Sequence, residues 1–309
     1  MAKQKDNDPK KQHYVPKHYL RFFCTNNSHQ LWAYSKKLGK IFQSNINDVA
    51  SRNYFYESRW LNSPTSDAFL QQGVVEKKLL GKAEKEQAPA LRSIVKKLNL
   101  AITPCGCAPA FSEEEIDALR AFMALTLCRN PRTIGLFRPT AEDRASEPEL
   151  LAIEEAIEML GFGDYSAFED QGIKRGLTSF VEGSLPSIIL DQVQDLAINF
   201  AVACPGSIFV TSTHPVCYQV ERNRLSYLYL PLTSRFAVFC SKMQDEMKLF
   251  DLSAKNVDSL NLIYADPGNE MADVVLSPSK TTLENLKFMV KAGRGLGDVC
   301  EIVGMPRKR

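Results

Sequence analysis

The 309-residue chain has no cysteine pair at metal-knuckle or redox spacing. Its eight cysteines are scattered, and Cys105-Gly106-Cys107 is tighter than a CxxC pair and has no second pair to complete a site. Neither structural zinc nor dithiol chemistry is therefore expected. Cys128, Cys204 and Cys240 sit in apolar runs and read as small buried hydrophobes, so a reduced, cytoplasmic protein is expected. Long apolar runs are also missing. The stretch 198–204 is too short to cross a bilayer, and the charged start lacks the apolar stretch of a signal peptide; no membrane partner is expected. Nor is there an excess of one charge. With 38 Lys and Arg against 36 Asp and Glu, the net charge is +2, so RNA or a nucleotide could be held only by a local patch.

Familiar catalytic signatures are absent as well. There is no Gly-x-x-x-x-Gly-Lys loop, and Gly293-Arg294-Gly295-Leu296-Gly297 follows a helical pattern, which makes it a helix end. Ser212 lacks the Gly-x-Ser-x-Gly setting of a serine hydrolase. His13 and His18 lie five apart without HExxH or clustered carboxylates. NTP hydrolysis, serine chemistry and a metal centre are disfavoured, and no cofactor is expected.

What is present is an ordinary globular composition, 44% hydrophobic and 24% charged. Residues 1–11 are polar and charged and are expected to be a disordered tail, with a second, basic tail over 303–309. Between them one domain is expected over 12–302. Leu31–Tyr34, Lys40–Gln43 and Asn53–Tyr56 alternate like strands, separated by turns at 37–39 and 45–48, which predicts a small antiparallel meander. The period then becomes helical over 67–98, with Pro89 expected to kink or split the helix. Ser112 followed by Glu115 is a capping-box signature for a helix ending near Asn130-Pro131. Helical patterns return over 149–160 and 168–181. A third, from Ser184, has Ile189, Val193, Leu196 and Phe200 at helical spacing and is expected to run to Pro205-Gly206. Strands are expected at Ser207–Thr211, Tyr227–Leu230, Phe236–Cys240 and Asp273–Leu276, and helices at Ser253–Ala265 and Ser279–Lys291. Blocks of strands and helices, without regular βαβ alternation, predict an α+β fold. One antiparallel or mixed sheet would be built from N- and C-terminal strands, with a central helical block.

The densest segment is Gln12-His13-Tyr14-Val15-Pro16-Lys17-His18-Tyr19-Leu20-Arg21-Phe22-Phe23, where a proton-transfer group, phenols, cations and large apolar side chains crowd together. The pattern His-Tyr-Val-Pro-x-x-Tyr-Leu-Arg-x-Phe resembles the opening of a bacterial family known only as domain of unknown function 4238. Leu31–Tyr34, Asn53–Tyr56, Val75-Glu76, Glu84 with Ala88-Pro89, and Cys128–Arg132 agree with it in order. Phe209-Val210-Thr211-Ser212 resembles a strand that in many members continues Thr-Ser-Asp-x-Pro; here Thr213 stands at the aspartate position. The resemblance implies a shared fold, and its setting in bacterial accessory genes implies a mobile or defensive role.

Candidate site residues follow from placement. Glu76 and Glu84 lie on one helical stripe, about 12 Å apart along the axis, either as functional carboxylates or as a solvated face flanked by lysines. Arg129 falls four residues after Leu125 and seven after Phe122, on the apolar stripe of its helix. A guanidinium there needs a carboxylate or an anionic ligand, as either a structural pair with Glu76 or Glu84 or an anion clamp. Arg132, after the proline, is a weaker anion binder. His13 can move protons near neutral pH, with Tyr14 and Tyr19 orienting it and Arg21 binding an anion; alternatively it is a hydrogen-bonded core histidine. Thr211, Ser212 and His214 stand at a strand end, where hydroxyls can bind phosphate.

Two functions are open. One is a phosphate-recognising, metal-independent ribonuclease or defence or toxin-like effector, with His13 as acid or base and Arg21 and Arg129 on the phosphate. The other is a non-enzymatic binding or scaffold module whose polar residues form a buried network.

Overall fold

The computed structural model describes residues 11–25, 28–53, 80–101, 108–130, 184–221, 224–242, 247–268 and 272–293. The fold is α+β. At the start, β1 (Lys11–His13) leads through Pro16 into the short helix α1 (Lys17–Leu20) and a 3-10 turn at Arg21–Phe23. Then come β2 (Gln30–Ser35), β3 (Lys40–Asn45) and β4 (Ser51–Asn53), followed by α2 (Gly81–Leu100), α3 (Glu113–Cys128) and α4 (Ser184–Gln194). The C-terminal half comprises β5 (Ala197–Ala203), β6 (Thr211–Ser212), β7 (Cys217–Glu221), β8 (Arg224–Pro231), β9 (Phe236–Ser241) and β10 (Leu249–Leu252). After it come α5 (Ala254–Ala265), β11 (Val274–Ser277) and α6 (Lys280–Lys291).

Chain ends do meet in one sheet. Its order is β3-β2-β11-β6, all antiparallel, so the N-terminal hairpin is completed by strands more than 160 residues downstream. The expected meander is nonetheless broken. β4 does not extend the β2–β3 hairpin but pairs with β1, Lys11 facing Asn53 and His13 facing Ser51. Gly39 turns the hairpin with a left-handed φ of 61° that other residues rarely adopt.

A second sheet, of order β10-β5-β9-β8-β7, comes from the C-terminal half alone. It is antiparallel except for the parallel pair β10–β5. Here the helix expected from Ser184 to Pro205 fails in its second half: the helix stops at Gln194 and Ala197–Ala203 is strand β5. The cause is burial on both faces. Ile198, Phe200 and Val202 point into the core under α2, α3 and α4, while Ala201 and Ala203 point into the core under α5 and α6. A strand buried on both sides reads as a continuous apolar run, and such a run can match helical spacing by accident. Cys204 then falls just past the strand and is half-buried, whereas Cys128 and Cys240 are buried, their thiols pushed up to about 12 by desolvation.

Three smaller expectations also change. The strand expected at Ser207–Thr211 is reduced to Thr211–Ser212. Upstream, the Asn261 side chain takes the Val210 N–H and donates to the Ile208 carbonyl, and Phe209 N–H goes to Ser234 O, so the backbone is satisfied outside a ladder. α2 is continuous through Pro89, held by the buried Leu91, Ile94 and Leu98 packing under α3. Strands β7 and β10 were not legible in the pattern. By contrast, the capping box at Ser112 and Glu115 forms in both directions, and the β8–β9 pair, α5 and α6 lie close to where they were expected. The helical patterns at 149–160 and 168–181, together with Asp67–Leu79 and Tyr54–Tyr56, fall outside the described residues.

Two cores result, one on each side of the five-stranded sheet. The first holds the opening segment (Val15, Tyr19, Leu20 and Phe23) against α2 and α3. The second lies between β8–β9, the four-stranded sheet, α5 and α6 and is rich in tyrosine.

Candidate functional site

The site is built where the opening segment, α2 and the end of α3 converge. Pro16 accepts the Tyr19 and Leu20 N–H groups and starts α1. That turn puts Val15 and Tyr19, four apart, into the core and leaves His18 on the flank, its ring tilted 5.8 Å from Phe122 of α3. Tyr19 packs at 5.5 Å from the same phenylalanine.

Arg129, at the C-terminal cap of α3, is completely buried. Its Nη1 donates to Glu84 Oε1 at 2.9 Å and its Nη2 donates to the backbone carbonyl of His13. A guanidinium on an apolar stripe therefore finds one carboxylate on α2 and one carbonyl on the opening segment, tying three separate pieces of chain together. The other Glu84 oxygen faces His18 Nδ1 at 3.8 Å, too long for a hydrogen bond. Burial alone would push the Glu84 carboxyl up. The His18 ring and the Arg129 guanidinium outweigh it and hold the group at about 2, well below the ordinary 4.5. Glu84 stays ionised at any physiological pH.

His13 is also buried, at 3% exposure. Desolvation, with the nearby Lys17 charge, drives its imidazole down to about 4, against backbone hydrogen bonding at Asn47 and Ile46 that favours the proton. Near neutral pH it is an uncharged histidine at the end of β1, opposite Ser51 of β4.

The polar band continues past Arg129. Asn130 Nδ2 donates to the Thr213 carbonyl at 3.1 Å, joining the end of α3 to the turn after β6. Thr213 Oγ1 accepts the N–H groups of Asp273 and Val274, each at 3.2 Å, so the hydroxyl at the position where the resemblance places an aspartate acts as a backbone acceptor. Ser212 Oγ donates to the His214 carbonyl and accepts its N–H, a local turn that occupies the hydroxyl. His214 is buried with its ring edge-on to Tyr218. Thr211 Oγ1 lies 2.7 Å from Tyr19 Oη, which also donates to the Pro231 carbonyl.

Of the residues singled out in the sequence, His13, Glu84 and Arg129 thus come together directly. Tyr19 and Thr211 meet in a second contact, and Ser212 and His214 in a third. Tyr14 is half-buried beside β4, its N–H on the Ala50 carbonyl. Arg21 is exposed on the 3-10 turn and takes no part in the network among the described residues. Glu76 and Arg132 lie outside the described residues. His18 and Asn130 were missed as network members. Asn130 is adjacent to Arg129 and could have been flagged by it, whereas only the packing on Phe122 reveals His18.

No group of three metal-ligating side chains gathers among the described residues, and no described helix is long and apolar enough to cross a membrane. A family profile described as "Protein of unknown function (DUF4238)" matches residues 11–272. The chain belongs to this family. No curated protein and no solved structure matches it. The DUF4238 match runs from β1 to the residue two before β11 and so contains His13, Glu84, Arg129, Asn130 and Thr213.

Proposed function

We propose that this DUF4238 chain is a non-enzymatic binding or scaffold module in which the His13–Glu84–Arg129 network fixes the opening segment to α2 and α3. The observation that supports this reading is the complete burial of Arg129, with Glu84 and the His13 carbonyl already on its donors. An anion clamp needs donors that a phosphate can reach, and an acid–base histidine needs a pKa near the working pH. A buried His13 held at about 4 lacks that match. The opening motif then acts as a staple: Val15, Tyr19 and Phe23 fill the core while the carbonyl of His13 is captured from below.

A second reading keeps the phosphate-recognising, metal-independent ribonuclease or defence effector, moved to the edge of the network. Glu84 is 29% exposed and His18 11% exposed at their side chains, so this pair, unlike Arg129, reaches solvent.

The test runs stability and RNA cleavage side by side on the full chain. Arg129→Met should lower stability by about 3–5 kcal/mol, as a broken buried pair does, and the wild-type chain should leave single- and double-stranded RNA uncut. RNA cleavage that His13→Ala or His18→Ala abolishes at unchanged melting temperature would overturn the module reading.

A further inference from the structure

This step rests on the reading of the chain as a binding module and names a partner class for it. Between α2, α3 and α4 lies a groove of about 830 Å³. Its floor is made of alanines at helical spacing, Ala83 and Ala90 on α2 and Ala118 and Ala121 on α3. Side chains that small leave a trough into which another helix can lay its ridges at close range. From Glu114 to Leu125 the α3 wall runs about 16 Å, three helical turns.

The charge is one-sided. Among the described residues four carboxylates line the groove and no cation does. Glu115 is committed to Lys97, Ser93 and its own capping box, and Asp117 makes a loose 3.6 Å contact with Arg120. Glu86 and Glu114 are exposed.

A second observation points to a ligand independently of charge. Gln87, on the α2 side of the groove, is 5% exposed, and its Oε1 has no hydrogen-bond partner among the described residues. A buried acceptor without a donor costs about 1–3 kcal/mol, a cost that an incoming N–H would remove.

We infer that this groove receives a basic amphipathic helix of a partner protein, its small or apolar face on the alanine floor, its Lys or Arg side chains against Glu86 and Glu114, and one donor on Gln87 Oε1. An extended acidic or neutral peptide fits neither the charge nor the spacing.

The test uses the full chain and a fluorescein-labelled fifteen-residue Lys/Leu/Ala amphipathic helix, about four turns long, read by fluorescence anisotropy. A twin with Lys replaced by Glu serves as control. The basic peptide should bind and the acidic twin should not. The double variant Glu86→Lys/Glu114→Lys, both exposed and outside the core, should weaken binding at least about tenfold, a change of about 1.4 kcal/mol. Gln87→Met keeps every charge, so weakening there separates seating in the groove from general attraction. The proposal is overturned if the basic peptide fails to bind, or binds both variants as it binds wild type. It is equally overturned if the charge variant instead dissolves a self-association seen by sedimentation, which assigns the groove to a second copy. Any of these failures leaves the Arg129→Met stability result standing, whereas RNA cleavage would remove the module reading whatever the peptide does.

Discussion

The two sides of the five-stranded sheet bury polar groups in opposite ways. Toward α2 and α3 the core accepts a full charge, Arg129, and satisfies it with an ionised Glu84 and a carbonyl. Toward α5 and α6 it takes in neutral groups, among them tyrosine hydroxyls and the Asn261 amide. Tyr264 Oη donates to Pro215 O, while Tyr229 Oη is fully buried without a partner. Desolvation pushes the phenols of Tyr229 and Tyr264 well above 10, so these two groups carry no charge to lose. The difference teaches which half should respond to pH and to single substitutions. A charge that is buried and paired is costly to strand, whereas a neutral hydroxyl is cheap to delete.

The strongest way to break the contrast is Arg129→Met, with the loss of about 3–5 kcal/mol in urea unfolding already stated. Acid is next. His13 titrates at about 4 in the folded chain against an ordinary 6.5, so the unfolded chain takes up the proton first. Its contribution is complete above 6.5 and is lost as pH falls toward 4. Glu84, held at about 2 against 4.5, adds a second loss between 4.5 and 2. Melting temperature measured from pH 7 to pH 3 should fall in that order, and His13→Gln should flatten the upper phase while keeping the lower one. Tyr19→Phe, which deletes the hydroxyl shared with Thr211 and Pro231, should cost about 1–2 kcal/mol by the same unfolding assay. Smallest of all, Tyr229→Phe should leave stability unchanged or slightly raised, because the hydroxyl it removes has no partner. A loss as large as that of Tyr19→Phe would erase the distinction between the two sides.

How much of this was legible depends on where the information sits. Ser112 and Glu115 announce α3 because a capping box is local, and the stripe that carries Arg129 is visible in the spacing of Phe122 and Leu125. Glu84 was legible with Glu76 as one of two carboxylates that could pair with Arg129, and the spacing alone did not choose between them. β5 was illegible as a strand, since both its faces are buried and the alternation that marks a half-exposed strand is erased. The β1–β4 pair was missed because its strands are three residues long and nearly forty apart. In the site, His13 was visible as a residue type, but its neutrality comes from burial and from the nearby Lys17 charge, which outweigh the backbone hydrogen bonding at Asn47 and Ile46. No spacing rule carries that.

The most direct test of the network is a double-mutant cycle of Glu84→Gln and Arg129→Met, followed by equilibrium unfolding. Two residues in one buried pair should show a coupling of about 0.5–3 kcal/mol, the double variant being less damaged than the sum of the singles. Strict additivity would mean that Glu84 and Arg129 do not stabilise the fold through each other, and would contradict the structural staple at the centre of this account.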